Sequence, residues 1–508
     1  MTAGGNLLTD NQNVNGIEQT NYSISTRYAR NWSMGETKVR LGFASFDDDQ
    51  WEFEDEIDFE DAVIEGEMAF LDIQDQELSF EVQHEIEIAQ DTEIEFGVFF
   101  RDKDRDTNIS EGEYEVEDLL NLENYDQFFN QPHNYGFEYE DFEAPDGGIS
   151  TIEEQRVDFF ALIEGENGPF KWEAGVRYET TDVSVNDMTL DESYSNDYDF
   201  WLPSAHIRWD VTEADRITAS VARTVRRPNF DFISPAYLDG EYGDNDFFGN
   251  TNLQPETAYG FDLGYEHRIG RTGVFGVNIF YRDVSDLIEV QNTGAYAEEF
   301  CDDFEDDIGL TCDAVTSGDA AAVAAFDQYL DDEADNIAYV YTAENTGDGE
   351  VYGIEFDLST PLDFIGMDNT GVFANLSLLD SSVTDHIGDR QFNNQSDYVY
   401  NVGFIQDLPD MNMAFGATYR QQGDAIERLL AEEVTVSYGA DLEIFVERSW
   451  GDNFTLRFVG SNLLDSSKDE VFNKFDTNAD QINRDFDEYE LETEYAGPVF
   501  QLMGRWAF

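Results

Sequence analysis

The sequence predicts an all-β chain rolled into a large antiparallel transmembrane β-barrel of about 18–22 strands with long extracellular loops. Three observations predict it. Apolar and polar residues alternate with period two in segment after segment, the spacing of a strand whose faces meet different surroundings. Aromatics make up 14% of the 508 residues, with 41 Phe and 25 Tyr, which suits two aromatic girdles at membrane interfaces. No uncharged apolar stretch of about 18 residues supplies a transmembrane helix, so any crossing of a membrane rests on strands.

The chain opens MTAGGNLLTDNQNVNG, with neither a basic n-region nor an apolar h-region, so no signal peptide is read there. For an exported barrel this implies a fragment, residues 1–508, whose N-terminal part is missing. In the first third the apolar parity Leu78, Phe80, Val82, Ile86 and Ile88, interrupted by His84, opposes Glu81, Glu85 and Glu87. It gives a lipid face and an acidic lumen face. Asp102, Asp104, Asp106, Asn108, Ser110 and Glu113 fit calcium-loop positions 1, 3, 5, 7, 9 and 12, although Thr107 stands where that loop needs Gly. The competing reading is a strand end running into an acidic loop. Diffuse Ca²⁺ or Mg²⁺ binding by acidic extracellular loops is the broader form of the metal reading, and no other cofactor is expected. Residues 107–150, 228–256 and 289–337 read as long loops, and 409–411 and 451–453 as short turns. In 125–142, Tyr125, Phe128, Phe129, His133 and Tyr135 mix aromatic faces with amides. That chemistry stacks on a sugar ring or a flat chelate, or simply packs the loop on itself.

Further on, Trp172, Ala174, Val176 and Tyr178 oppose Glu173, Arg177 and Glu179, and Tyr259, Phe261, Leu263 and Tyr265 oppose Asp262 and Glu266. Between them Arg223, Arg226 and Arg227 form a rare basic cluster, expected to pair with carboxylates of neighbouring strands or a plug, or to sit as weak rim pairs. Asn252, Pro255 and Glu256 open the next strand, where Pro costs no ladder donor. Cys301 and Cys312 are close enough to close a short loop. A disulfide there contributes on the order of 3 kcal/mol and implies an oxidising compartment. The stretch 317–332, with Ser317 at an N-cap and an alanine-rich body, reads as a helix within a loop. Met411 to Arg420 and Tyr438 to Glu447 alternate again. The chain ends on Phe500, Leu502, Trp506 and Phe508 on one parity and Val499, Gln501, Met503, Arg505 and Ala507 on the other. An aromatic-tipped final strand of this kind resembles the C-terminal strand of bacterial outer-membrane barrels.

The net charge is −85, from 112 acidic and 27 basic residues. Nucleic acid is excluded as a partner, because phosphates need Lys and Arg. The aromatic and aliphatic content outweighs disorder, which leaves a solvated acidic surface suited to high ionic strength. Nucleophile elbow, zincin and phosphate-loop motifs are absent, so no enzyme is expected.

RITASVARTVRRPNFDFISP, GNTNLQPETAYGFDLGYEHR, TGVFGVNIFYRDVSDLIEVQNTG, ENTGDGEVYGIEFDLSTPL and LRFVGSNLLD, in this order, resemble the C-terminal barrel of TonB-dependent outer-membrane receptors. Thr251 departs from the family, which carries Pro there. Family barrels have about 22 strands. The resemblance implies a bacterial outer-membrane barrel touching lipid and lipopolysaccharide. It implies capture of a small extracellular ligand and uptake energised by TonB–ExbB–ExbD through the missing plug. An oligosaccharide is favoured slightly over a ferric siderophore, since an acidic vestibule repels an anionic chelate. The alternatives are a passive cation-selective porin-like barrel and a secreted acidic calcium-binding β-protein.

Overall fold

The computed structural model describes residues 9–58, 63–117, 140–238, 246–317, 320–332, 338–385, 387–451, 453–475 and 478–507. Its backbone is a meander in which each long strand pairs antiparallel with the next. β1 (Thr9–Trp32), β2 (Gly35–Asp58), β3 (Val63–Ala89) and β4 (Thr92–Glu117) come first. After the short rung β5 (Glu140–Glu143) follow β6 (Ile149–Asn167), β7 (Phe170–Asp187), β8 (Glu192–Asp210) and β9 (Asp215–Arg226). Two small strands, β10 (Tyr237–Leu238) and β11 (Asp246–Phe248), lead to β12 (Glu256–Ile269), β13 (Gly273–Tyr296), β14 (Tyr339–Pro361) and β15 (Thr370–Thr384).

The C-terminal third is built of shorter pieces: β16 (Asp389–Arg390), β17 (Gln395–Ser396), β18 (Tyr398–Leu408), β19 (Met413–Gln422), β20 (Ala425–Leu429) and β21 (Glu432–Tyr438). Then come β22 (Asp441–Trp450), β23 (Phe454–Ser461), β24 (Ser467–Lys474), β25 (Glu488–Tyr495) and β26 (Val499–Trp506). One sheet holds 21 strands, and β17, β20, β21, β24 and β25 form a second, 5-stranded sheet that continues the outer ends of β18 to β26.

Outward-facing side chains are those that water would reject. Tyr259, Phe261, Leu263 and Tyr265 on β12 are 41–53% exposed on one parity. The apolar run Leu78 to Ile88 on β3 spans about 25 Å of height at ordinary rise and tilt, the thickness of a lipid-facing band. The band stops at one level. In register Phe80 faces Phe100 and Leu78 faces Asp102; farther round, Tyr281 faces Tyr352 and Asp283 faces Glu350. Two aromatic girdles mark its edges. Beside the short turns Phe170 stacks on Trp209 at 5.7 Å, and Phe454 meets Trp506 at 5.6 Å. At the other edge Tyr178 meets Trp201 at 4.9 Å. There the hydroxyls of Tyr281 and Tyr352 donate to Glu350 and Asp380, each at 2.8 Å, joining the band to the acidic surface above.

The short turns need little chain. Gly168, at φ +63°, closes the β6–β7 hairpin in a conformation L-residues rarely adopt. At the opposite end the strands run on, so most of 107–117 and 289–296 is strand and not loop. Two folded segments sit at this outer end. Residues 227–238 and 246–255, with the one-turn helix α1 (Phe230–Ile233), turn inward. Phe230, Ile233 and Leu253 then pack with Ile152, Val183, Val185 and Tyr198, and the Tyr198 hydroxyl donates to Leu253 O at 2.9 Å. The second segment holds α2 (Glu298–Ile308), α3 (Cys312–Thr316) and α4 (Ala320–Asp332) around Phe300, Phe304, Phe326 and Tyr329. Ser317 does not cap α4; its hydroxyl donates to Ala314 O behind it.

Candidate functional site

On the inner parity of β4 stand Arg101, Lys103 and Arg105, one residue apart from the outward Asp102, Asp104 and Asp106. The register sets Arg101 opposite Arg156 and Lys103 opposite Glu154 on β6, while β7 brings Arg177, Glu179 and Thr181 alongside. Like charges in direct register would repel, so the carboxylates are shared out diagonally. Glu154 turns to Arg101 Nη2 at 2.8 Å. Arg156 clasps Asp158 with two bonds, 2.7 and 2.6 Å, and also donates to Glu179. Arg177 Nη1 reaches the same Asp158 at 2.6 Å. Asp158 is 0% exposed and Glu179 1%, and such burial holds only because several guanidinium donors meet each carboxylate.

The inward turn after β9 completes the site. Pro228 lacks the N–H that the next rung would need, so the strand ends there. Arg227 points back to Glu179 and to Thr181 Oγ1, 3.3 Å from its Nε. Phe230 slides beneath Lys103 and Arg105, its ring centroid 5.0 and 5.5 Å from them. Arg105 grips Asp75 of β3 in a bidentate pair at 2.7 and 2.8 Å and also holds Asp231. Between these elements lies a cavity of about 430 Å³ lined by Asp75, Arg101, Lys103, Arg105, Glu154, Arg227, Phe230 and Asp231. Its chemistry is that of a surface for anionic or polyhydroxylated solutes.

The calcium-loop residues singled out in the sequence are not brought together. Asp102, Asp104, Asp106 and Asn108 lie along one face of β4, so the calcium loop is corrected to a strand. Positions 102 and 108 stand about 20 Å apart at the ordinary strand rise, whereas one Ca²⁺ needs all its oxygens within about 2.6 Å. Glu113 belongs to the same strand. Among the described residues no three His, Cys, Asp or Glu side chains converge on a metal-sized point. Tyr125, Phe128, Phe129, His133 and Tyr135 lie outside the described residues, as does Phe508. The structure joins Cys301 to Cys312, Cα atoms 5.6 Å apart, tying α2 to α3. Of the basic trio only Arg227 enters the inner site. Arg226 makes a long 3.6 Å rim pair with Glu256, and Arg223, in register with outward Tyr259, rests 5.5 Å from its ring. Arg101, Lys103 and Arg105 were missed, although the string RDKDRD carries their signal: basic residues on one parity and acids on the other.

A family model described as TonB dependent receptor-like, beta-barrel matches residues 2–463. Among solved structures, the ferric citrate transporter FecA in its unliganded form is 11% identical at TM-score 0.54, with 93% of this chain and 62% of FecA covered. The copper transporter OprC is 12% identical at TM-score 0.55, covering 97% and 72%. The siderophore receptor PiuA from Acinetobacter baumannii is 13% identical at TM-score 0.56, covering 96% and 64%. At these identities the likeness is one of fold, and the chain spans less than two thirds of FecA and of PiuA.

Proposed function

The chain belongs to the TonB-dependent receptor β-barrel family, a family of outer-membrane receptors and transporters, and on that premise we propose that it forms the wall of an energised uptake receptor. A small scarce ligand is captured at the outer end and passes inward, with energy supplied by TonB–ExbB–ExbD through a plug domain. The observation that carries this reading is the inner wall. Cations and carboxylates are concentrated on the lumen face beneath folded outer segments, where a solute has to pass.

The ligand is an oligosaccharide or a ferric chelate. The acidic outer surface argues against an anionic chelate, but the inner cations offset that repulsion locally. The neighbours named for ferric citrate, copper and a siderophore also speak for the chelate. We propose that Tyr125, Phe128, Phe129, His133 and Tyr135 add aromatic contacts in either case, with Asn and Gln residues of the same segment supplying amides. The membrane belt sets the secreted calcium-binding reading aside. The passive cation-selective barrel is tested directly: uptake by cells carrying the protein is measured with and without an uncoupler of the proton gradient. Loss of accumulation on uncoupling supports the receptor. Equilibration at an unchanged rate, with cation conductance in planar bilayers, would replace it with the porin.

A further inference from the structure

Most arginines of this acidic chain sit against carboxylates. Among the exceptions, Arg30 and Arg448 stand on the lipid-facing parity beside the short turns. Arg448 of β22 shares its face with Val446 and Trp450, 40% and 46% exposed, and lies in register between Met413 of β19 and Leu456 of β23. All four neighbours are apolar, and the adjacent acid, Glu447, points to the other side of the sheet. Arg30 of β1 is in register with Thr37; on the same parity Tyr28 faces Val39, which faces Val82 of the lipid band. The guanidinium carbon of Arg30 stands 4.0 Å from the Trp32 ring centroid, and that of Arg448 5.2 Å from the Trp450 ring. Among the described residues neither has a carboxylate within ion-pair distance. Both occur as Arg, one spacer and Trp immediately before a short turn.

A charged side chain on a lipid-facing surface is costly unless it reaches the interface and meets an anion there. The long stem of Arg can run along the apolar face while its head is carried to that level. The Trp ring supports the charge without neutralising it. We propose that Arg448 with Trp450, and Arg30 with Trp32, each bind the phosphate of an anionic phospholipid in the leaflet beside the short turns. The phosphate oxygens take the guanidinium fork in a bidentate pair. Trp450 meets Phe454, and Phe454 meets Trp506, each at 5.6 Å, so an aromatic shelf continues from the first site and supports the glycerol and upper acyl chain. A lipid of net negative charge is preferred to a zwitterionic one, whose own ammonium already faces its phosphate. The outer edge of the band offers no such pairing at Tyr281 and Tyr352, whose hydroxyls are given to Glu350 and Asp380.

The test is native mass spectrometry of the full chain, folded in detergent and titrated with phosphatidylglycerol, with phosphatidylcholine as the zwitterionic comparison. Phosphatidylglycerol should bind about tenfold more tightly, the worth of a charge-assisted pair kept by one lipid and weakened in the other. Arg448→Gln should remove one of the tightly held lipids and Arg30→Gln another, and the double variant should bind the two lipids alike. Arg448→Lys keeps the charge without the fork and should recover part of the loss. Neither Gln replacement breaks an ion pair, so both variants should keep their strand circular dichroism. The two arginines lie on separate strands, so each variant is an independent reading should the other fail to fold. Unchanged phosphatidylglycerol binding in a Gln variant overturns the site at that residue. Equal affinity of the wild type for both lipids overturns the proposal as a whole. Displacement of phosphatidylglycerol by millimolar inorganic phosphate also overturns it, because the sites would then hold a free anion and not a lipid.

Discussion

Arg156 holds two carboxylates that water scarcely reaches, so its removal leaves buried charge and not merely a lost contact. Arg156→Ala should lower the unfolding free energy by about 3 kcal/mol, the low end for a broken buried pair, because Arg177 and Arg227 still serve one partner each. A thermal midpoint within a degree of wild type would show that the network relaxes around the gap. Arg156→Lys should recover only part, since an ammonium cannot make the bidentate clasp. Outside the membrane band, Glu432 opens β21 after a tight turn, and burial pushes its carboxyl up to about 7 from the ordinary 4.5, with Glu427, Glu490 and Glu488 adding to the push and Lys474 opposing it. Between pH 4.5 and 7 the folded form keeps a proton that the unfolded form has lost, so this group makes the fold less stable as pH rises through that window. Hydrogen exchange in β20 and β21 should therefore be faster at pH 8 than at pH 5.5 after correction for intrinsic rates. Glu432→Gln should flatten the difference, and a variant with the wild-type slope would point to another group. Single residues were the least legible level in the sequence. In RDKDRD the acids drew attention as ligands because there are many of them, yet one parity of a strand cannot curl around an ion. What the basic parity faces depends on β3, β6 and a turn far along the chain.

At the scale of elements, the strands that separate two solvents were legible and the rest was not. Leu78 to Ile88, Tyr259 to Tyr265 and Phe500 to Trp506 each show the period-two contrast because lipid lies on one side and a watery lumen on the other. Past Leu78 or Phe100 both faces of a strand meet water, the contrast vanishes, and β3 and β4 extend 27 and 26 residues without announcing it. The same loss of contrast hid the 5-stranded outer sheet. The helical segment carries its own core, in which Phe304 meets Phe326 edge-on at 4.8 Å. Its disulfide closes a loop separated by 11 positions. The unit therefore stands on local packing plus a crosslink worth about 3 kcal/mol. Cys301→Ser with Cys312→Ser should open α2 to α4 to protease while the barrel keeps its strand dichroism and its resistance. If both fall together, the segment is part of the barrel's own cooperative unit.

At the scale of the molecule, charge sets the terms. With 112 acids against 27 bases, self-repulsion opposes folding outside the membrane band, and the buried Arg networks around Arg156 on the inner wall and around Arg390 and Arg428 at the outer strands offset it in part. Exposed acids such as Asp104 and Asp106 on the outer face of β4 have no such partners nearby in register, where Glu153 and Thr151 stand opposite them. Salt must then do what bases do not. Raising ionic strength from ~0.01 M to 1 M shortens the screening length from about 30 Å to about 3 Å. The thermal midpoint should rise by several degrees over that range, against the usual small loss for a protein held by surface ion pairs. Calcium separates the two ways of relieving the charge. If millimolar CaCl₂ raises the midpoint more than NaCl of equal ionic strength, the outer carboxylates hold divalent ions between strands although they form no single loop. If the two salts act alike, screening alone accounts for the stability of so acidic a barrel.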